Sequence, residues 1–118
     1  MEESLKQLQA RLQQFADERD WDQFHAPKNL VMALSVEASE LLEHFQWLSN
    51  EESHRLDEQK KQEVAYEMAD VFIYLVRLAT KLDVNLATAV EEKIAINEAK
   101  YPADKVRGSH KKYTEYQD

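Results

Sequence analysis

The sequence predicts an all-α protein, and three observations carry that prediction. The chain holds one Gly and two Pro, so few positions break a helix. Ala, Leu, Glu, Gln and Lys, which favour helix, are abundant. Apolar residues recur at alternating three- and four-residue spacing in several stretches, the period of a helix with one buried face. At 118 residues the chain is expected to form one domain, 1–118, built as a four-helix bundle.

The first helix is expected from Ser4 to about Glu18, with Leu5, Leu8, Leu12 and Phe15 as its apolar stripe. The stretch from Asp20 to Pro27 loses the period and reads as a loop, unusual in carrying Trp21, Phe24 and His25. Pro27 suits the first turn of a second helix, expected from Lys28 to Leu48. Leu30, Leu34, Leu41, Leu42, Phe45 and Leu48 form its core stripe, and Glu37, Glu40, His44 and Trp47 share an adjoining face. Ser49 to Asp57 reads as a polar connector. A third helix is expected from Glu58 to Lys81, with Val64, Met68, Val71, Phe72, Leu75 and Leu82 apolar and Glu63, Glu67, Asp70 and Tyr74 on a second, polar line. Asp83 and Asn85 are both candidate caps for a fourth helix from Leu86 to Lys100, which Pro102 stops. Lys93, Asn97 and Lys100 share a face there, and the tail from Ala103 onward is basic and tyrosine-containing.

Charge narrows the function. The net charge of −8 argues against duplex nucleic acid or an anionic membrane as partner. It leaves a small nucleotide open, because a bound divalent cation reverses the local sign. The chain has no Cys, which excludes disulfides and zinc–thiolate sites. No signal-peptide pattern and no long apolar run is present, so a cytoplasmic protein is expected.

Two acidic pairs organise the middle of the chain. Glu37 and Glu40 lie in VEASELLEHF, and Glu67 and Asp70 in YEMADVFIYL. Each pair is spaced i,i+3, so its carboxylates lie a turn apart on one helix face. Both pairs are set among apolar residues, where four carboxylates repel one another and lose hydration. A hard divalent cation between two facing helices relieves that cost, and Mg²⁺ favours a few carboxylates together with water and substrate phosphates. Glu37, Glu40, Glu67 and Asp70 are therefore candidate Mg²⁺ ligands. Glu63, one turn before Glu67, is a candidate to support them.

The order E-x-x-E, gap, E-x-x-D resembles the MazG-type all-α nucleoside triphosphate pyrophosphohydrolases. The runs ERDWDQFHAPKNL, EASELLEHFQW, DVFIYLVRLA and KYP…RGSHKKYT are similar to the dCTP pyrophosphatase branch of that family, and they cover nearly the whole chain. The resemblance implies Mg²⁺-dependent hydrolysis of a nucleoside triphosphate, dCTP or a modified dCTP, to the monophosphate and pyrophosphate. It implies Glu37, Glu40, Glu67 and Asp70 as metal ligands, and Trp21, His25, Trp47 and Tyr74 around the base and sugar. Lys93, Asn97, Arg107 and Lys112 would reach phosphates. Either Glu37 or Glu40 would position or deprotonate the attacking water. Family members assemble as dimers or tetramers, and apolar stripes on all four helices of so short a chain also point to a homo-oligomer, a tetramer over a dimer.

Other readings stay open at this point. Preference for dUTP or a broad set of triphosphates fits the same motifs. A di-iron bundle of ferritin type needs Glu-x-x-His motifs facing a core, and here that string falls only at Glu51 to His54, in the polar connector. A non-catalytic helical interaction module is separated from an enzyme by stabilisation with Mg²⁺.

Overall fold

A computed structural model of the chain describes residues 2–108. The described residues form helices and no strand. In chain order these are α1 (Glu2–Glu18), a 3₁₀ turn (Asp22–Phe24), α2 (Pro27–Glu43), α3 (Asn50–Ser53), α4 (Glu58–Lys81), α5 (Leu86–Lys100) and α6 (Ala103–Val106). They fall into two compact units, one ending at Val84 and one beginning at Asn85. No helix among the described residues is long and apolar enough to cross a membrane.

In the first unit α2 packs along α4, and α1 packs against α4. Ala16, Leu30, Val64, Val76 and Ala79 form the buried apolar core. Leu30 and Val76 are each 1% exposed, and full burial of a side chain of that size contributes roughly 1.5–3 kcal/mol. Among the described residues, much of the expected core stripe is not enclosed. Leu42, Met68, Phe72 and Leu82 are exposed, as are Met32 and Val36. Within the first unit, three packed helices offer too few faces to cover every stripe.

Helices α1 and α4 stop in the same way. The Trp21 N–H donates to the Ala16 carbonyl at 2.9 Å and the Asp20 N–H to that of Asp17 at 3.1 Å. At the end of α4, Val84 donates to Ala79 at 2.9 Å and Asp83 to Thr80 at 3.2 Å. Both are Schellman motifs, whose turning residue takes positive φ and is most often Gly. Here it is an aspartate, Asp20 or Asp83, each at φ 54°. A short polar side chain tolerates this region better than most.

Helix α2 ends at Glu43, short of the expected Leu48. From His44 onward the backbone tightens, with His44 donating to Leu41 at 3.2 Å and Phe45 to Leu42 at 2.9 Å. Trp47 therefore lies beyond the helix. The connector holds α3, started by a capping box: the Glu52 N–H donates to Ser49 Oγ at 3.1 Å and the Ser49 N–H to Glu52 Oε1 at 2.8 Å. The Ser49 backbone N–H first, and its side chain second, hold the Glu52 carboxyl below its ordinary range. Helix α4 has the expected bounds and begins at Asp57, whose carboxylate accepts from the Lys60 N–H at 2.8 Å.

In the second unit α5 has its expected bounds, and Asn85 rather than Asp83 caps it, Oδ1 accepting from the Thr88 N–H at 3.1 Å. Tyr101 and Pro102 end it before the short α6.

Candidate metal centre and nucleotide site

The α2–α4 packing brings together Glu37 from α2 and Glu67 and Asp70 from α4. Each offers a carboxylate oxygen, and those three atoms lie within 4.8 Å of one another. All three residues are half-buried, whereas Glu40, one turn beyond Glu37, is exposed at the rim. Two buried oxygens, Glu37 Oε2 and Glu67 Oε2, have no hydrogen-bond partner. Buried polar atoms are nearly always paired, so two orphans side by side mark a place built for something else. Burial pushes the Glu37 carboxyl up to about 7, and the neighbouring carboxyls of Glu67 and Glu40 add to it. The Glu67 carboxyl is also raised, mainly by burial. A cluster of this kind is costly with all members ionised and becomes favourable around a hard cation. The donor set, all carboxylate oxygen, fits Mg²⁺ in type. Glu63 instead lies 3.6 Å from Lys60, an exposed pair on the α4 surface.

The polar line of α4 continues past the acids. Glu67, Asp70, Tyr74, Arg77 and Lys81 follow at alternating three- and four-residue steps, so they share one face. Tyr74 is half-buried on that line. Arg77 is only 2% exposed. Its Nη1 donates to Gln13 Oε1 at 2.7 Å, its Nη2 to Asp22 Oδ1 at 3.0 Å, and Nε and Nη2 approach His25 Nδ1 at 3.3 and 3.0 Å. Asp22 Oδ1 also accepts from Lys81 Nζ at 2.6 Å and Gln13 Nε2 at 2.9 Å. The bonds from Lys81, Gln13 and Arg77 hold the Asp22 carboxyl far below the usual range. Arg77, Lys81, Asp22 and Gln13 escaped the sequence reading. The available signal was the continued spacing beyond Tyr74, which puts a cation on the acidic line rather than in solvent.

The aromatic candidates divide. Trp21 is half-exposed and meets Phe15 edge-on, with ring centroids 5.8 Å apart, while Arg19 covers the Phe15 ring at 3.7 Å. His25 is half-buried beside Arg77. Trp47 is 86% exposed. It lines an open cleft of about 430 Å³ together with His44, Leu48, Arg55 and Lys60, and none of the four candidate metal ligands lines that cleft. His44 Nδ1 and Lys60 Nζ are 3.2 Å apart there. Lys93 and Asn97 are exposed on α5, and Arg107 is exposed after α6, all in the second unit. Lys112 lies outside the described residues.

Comparison with known proteins gives consistent results. A model of the MazG-like family matches residues 32–116. Human dCTP pyrophosphatase 1 is 44% identical over 115 residues, which cover 96% of this chain and 66% of the human protein. The rat protein of the same name is 45% identical with the same coverage. The chain thus spans just under two thirds of these curated relatives. A pyrophosphatase from Archaeoglobus fulgidus, known from its crystal structure, is 43% identical with a TM-score of 0.80, covering 84% of this chain and 93% of its own.

Proposed function

From the premise that this chain belongs to the MazG-like family, we propose that it hydrolyses a nucleoside triphosphate, dCTP or a modified dCTP, to the monophosphate and pyrophosphate. The single observation that carries the proposal is the pair of buried, unpartnered carboxylate oxygens of Glu37 and Glu67 beside Asp70. Glu37, Glu67 and Asp70 hold Mg²⁺, and Glu40 completes the set from the rim. When bound, the metal neutralises triphosphate charge and makes water a better nucleophile at neutral pH.

This chain's residues supply the rest. Glu37 or Glu40 positions the water and accepts its proton. In-line attack at the α-phosphorus then expels pyrophosphate. Trp21, His25, Trp47 and Tyr74 border base and sugar. Stacking on such rings is tolerant of the base, so dUTP and other triphosphates remain competing substrates. Lys93, Asn97, Arg107 and Lys112 reach phosphates, on the strength of the family resemblance. The exposed Met32, Val36, Leu42, Met68 and Phe72 support a homo-oligomer, a tetramer over a dimer, in which copies of the chain cover them. The role that fits is removal of unwanted deoxynucleotides in the cytoplasm.

Hydrolysis in ¹⁸O water tests the proposal, run over a panel of triphosphates with and without Mg²⁺. Label is expected in the nucleoside monophosphate, with intact pyrophosphate released and dCTP or a modified dCTP turned over best. Label in orthophosphate, or no Mg²⁺-dependent turnover, overturns it.

A further inference from the structure

The Arg77 cluster is more ordered than a structural tie between helices requires. Arginine is a donor only and stays protonated. Two of its nitrogens, Nε and Nη2, converge on one ring atom, His25 Nδ1, at 3.3 and 3.0 Å. A proton on Nδ1 would set donor against donor in a place where Arg77 is 2% exposed. Nδ1 must therefore present its lone pair, and in the neutral ring the proton goes to Nε2. No protein group among the described residues hydrogen-bonds Nε2. Gln13 and Asp22 occupy the rest of the Arg77 fork, so the guanidinium cannot swing away without losing them.

We propose that Arg77 is a positioning residue that locks His25 in the tautomer with Nε2 protonated, so that His25 offers a fixed N–H donor to an acceptor atom of the bound nucleotide. The nucleotide half of this statement rests on the function proposed above; the tautomer does not. The groups facing His25 are Arg77 and Lys81 from α4, Asp22 from the 3₁₀ turn, and the neutral Gln13 of α1 beside them. Burial first and the Arg77 charge second lower the His25 pKa, while Asp22 opposes them. Burial and the Arg77 charge both favour the neutral ring over the charged one.

The test is ¹⁵N NMR of the ring nitrogens in the parent protein at pH 6.5, with His25 assigned by its absence in His25→Gln. The expected result is a bare Nδ1 and a protonated Nε2. A protonated Nδ1, or a charged ring, overturns the lock. Arg77→Met then removes the donor pair, and His25 is expected to show mixed tautomers and titrate near 6.5. KM for the nucleotide should rise about tenfold with kcat changed less than about twofold, as expected for a lost ground-state hydrogen bond. Where Arg77→Met does not fold, Arg77→Lys keeps the buried charge but not the two-nitrogen edge, and the same shifts are expected. An unchanged tautomer or unchanged KM in a folded Arg77 variant overturns the positioning role, and so does a loss confined to kcat. A parent that turns over no triphosphate overturns the proposed function and removes the nucleotide from this inference, while the NMR result stands. A parent that turns over triphosphate with Nδ1 protonated overturns this inference alone.

Discussion

Two polar clusters share one face of α4 and could hardly differ more. At the middle of the helix, Glu67 and Asp70 face Glu37 with like charges and orphaned oxygens. Seven residues on from Asp70, about 10 Å along the axis, Arg77 and Lys81 meet Asp22, Gln13 and His25 with opposite charges and several hydrogen bonds, His25 Nε2 being left for a ligand. The Glu37 and Glu67 carboxyls are raised by burial, whereas the Asp22 carboxyl is lowered by the bonds it accepts. A cluster whose charges oppose holds elements of the fold together. One whose charges are alike is complete only with a ligand.

The largest expected effect tests that contrast with matched charge removals. Asp70→Asn keeps the shape and removes one repelling charge. Turnover should fall at least about a hundredfold, as for damage to a metal site. The metal-free protein should melt at the parent's temperature or slightly above, and Mg²⁺ should no longer raise it. Asp22→Asn makes the same chemical change in the other cluster and should do the reverse. It leaves Arg77 and Lys81 short of a counter-charge, so the melting temperature drops while the Mg²⁺-dependent rise remains. Thermal melts with and without Mg²⁺, beside turnover, check both. Equal behaviour of the two variants would erase the distinction between the clusters.

The next effect is in the pH dependence, where the clusters carry opposite signs. The folded Glu37 pKa is raised from 4.5 to about 7. A raised carboxylate stabilises the fold below its ordinary pKa and loses that contribution as pH rises through the folded value. The metal-free protein should therefore lose stability between about pH 5 and pH 8, and Glu37→Gln should flatten that slope. Mg²⁺ should restore stability at the upper end, since it binds the ionised carboxylates. The folded Asp22 pKa is lowered from 3.8, so its contribution is present above that value and lost only in acid. Chemical denaturation across pH separates the two. A metal-free stability that rises from pH 5 to pH 8 would contradict the Glu37 assignment.

How much of this was legible depended on whether the signal was local. The bounds of α4 and α5 follow from apolar spacing and stand as read from the sequence, while the cap Asp57 was not read and Asn85 was one of two candidates with Asp83. Glu37, Glu67 and Asp70 were legible because i,i+3 spacing on two apolar helices needs only the right facing to bring them together. The end of α2 was not, because no Gly or Pro marks Glu43 and the stop is a change of hydrogen-bond partner. The box S-x-x-E at Ser49 was readable, yet it sits in a run polar enough to pass for a connector. The Arg77 cluster joins α1, the 3₁₀ turn and α4 across up to 64 residues of chain, and no window on the sequence spans that. Exposure of Leu42 and Met68 was equally hidden, since periodicity shows that a face is apolar and not what covers it.

The smallest effect concerns what holds the Arg77 cluster in place. Asp20 and Asp83 are equivalent turning residues at the ends of α1 and α4, both at φ 54°. Glycine at either position removes a steric cost and adds freedom to the unfolded chain, so the net change in stability should stay within about 0.5 kcal/mol. The two differ in one respect. Gln23 Nε2 donates to both the Asp20 carbonyl and Asp20 Oδ2, each at 3.0 Å, and so ties the cap to the turn that carries Asp22 and leads to His25. Asp83→Gly should therefore be neutral or slightly stabilising and leave the kinetics alone. Asp20→Gly loses the Oδ2 bond, so the turn loosens and KM should rise a few-fold, in the direction expected for Arg77→Met but smaller. Melts and KM measured side by side check this pair. If both glycine variants leave KM untouched, the turn is held by Arg77 alone, and the cap at Asp20 only ends a helix.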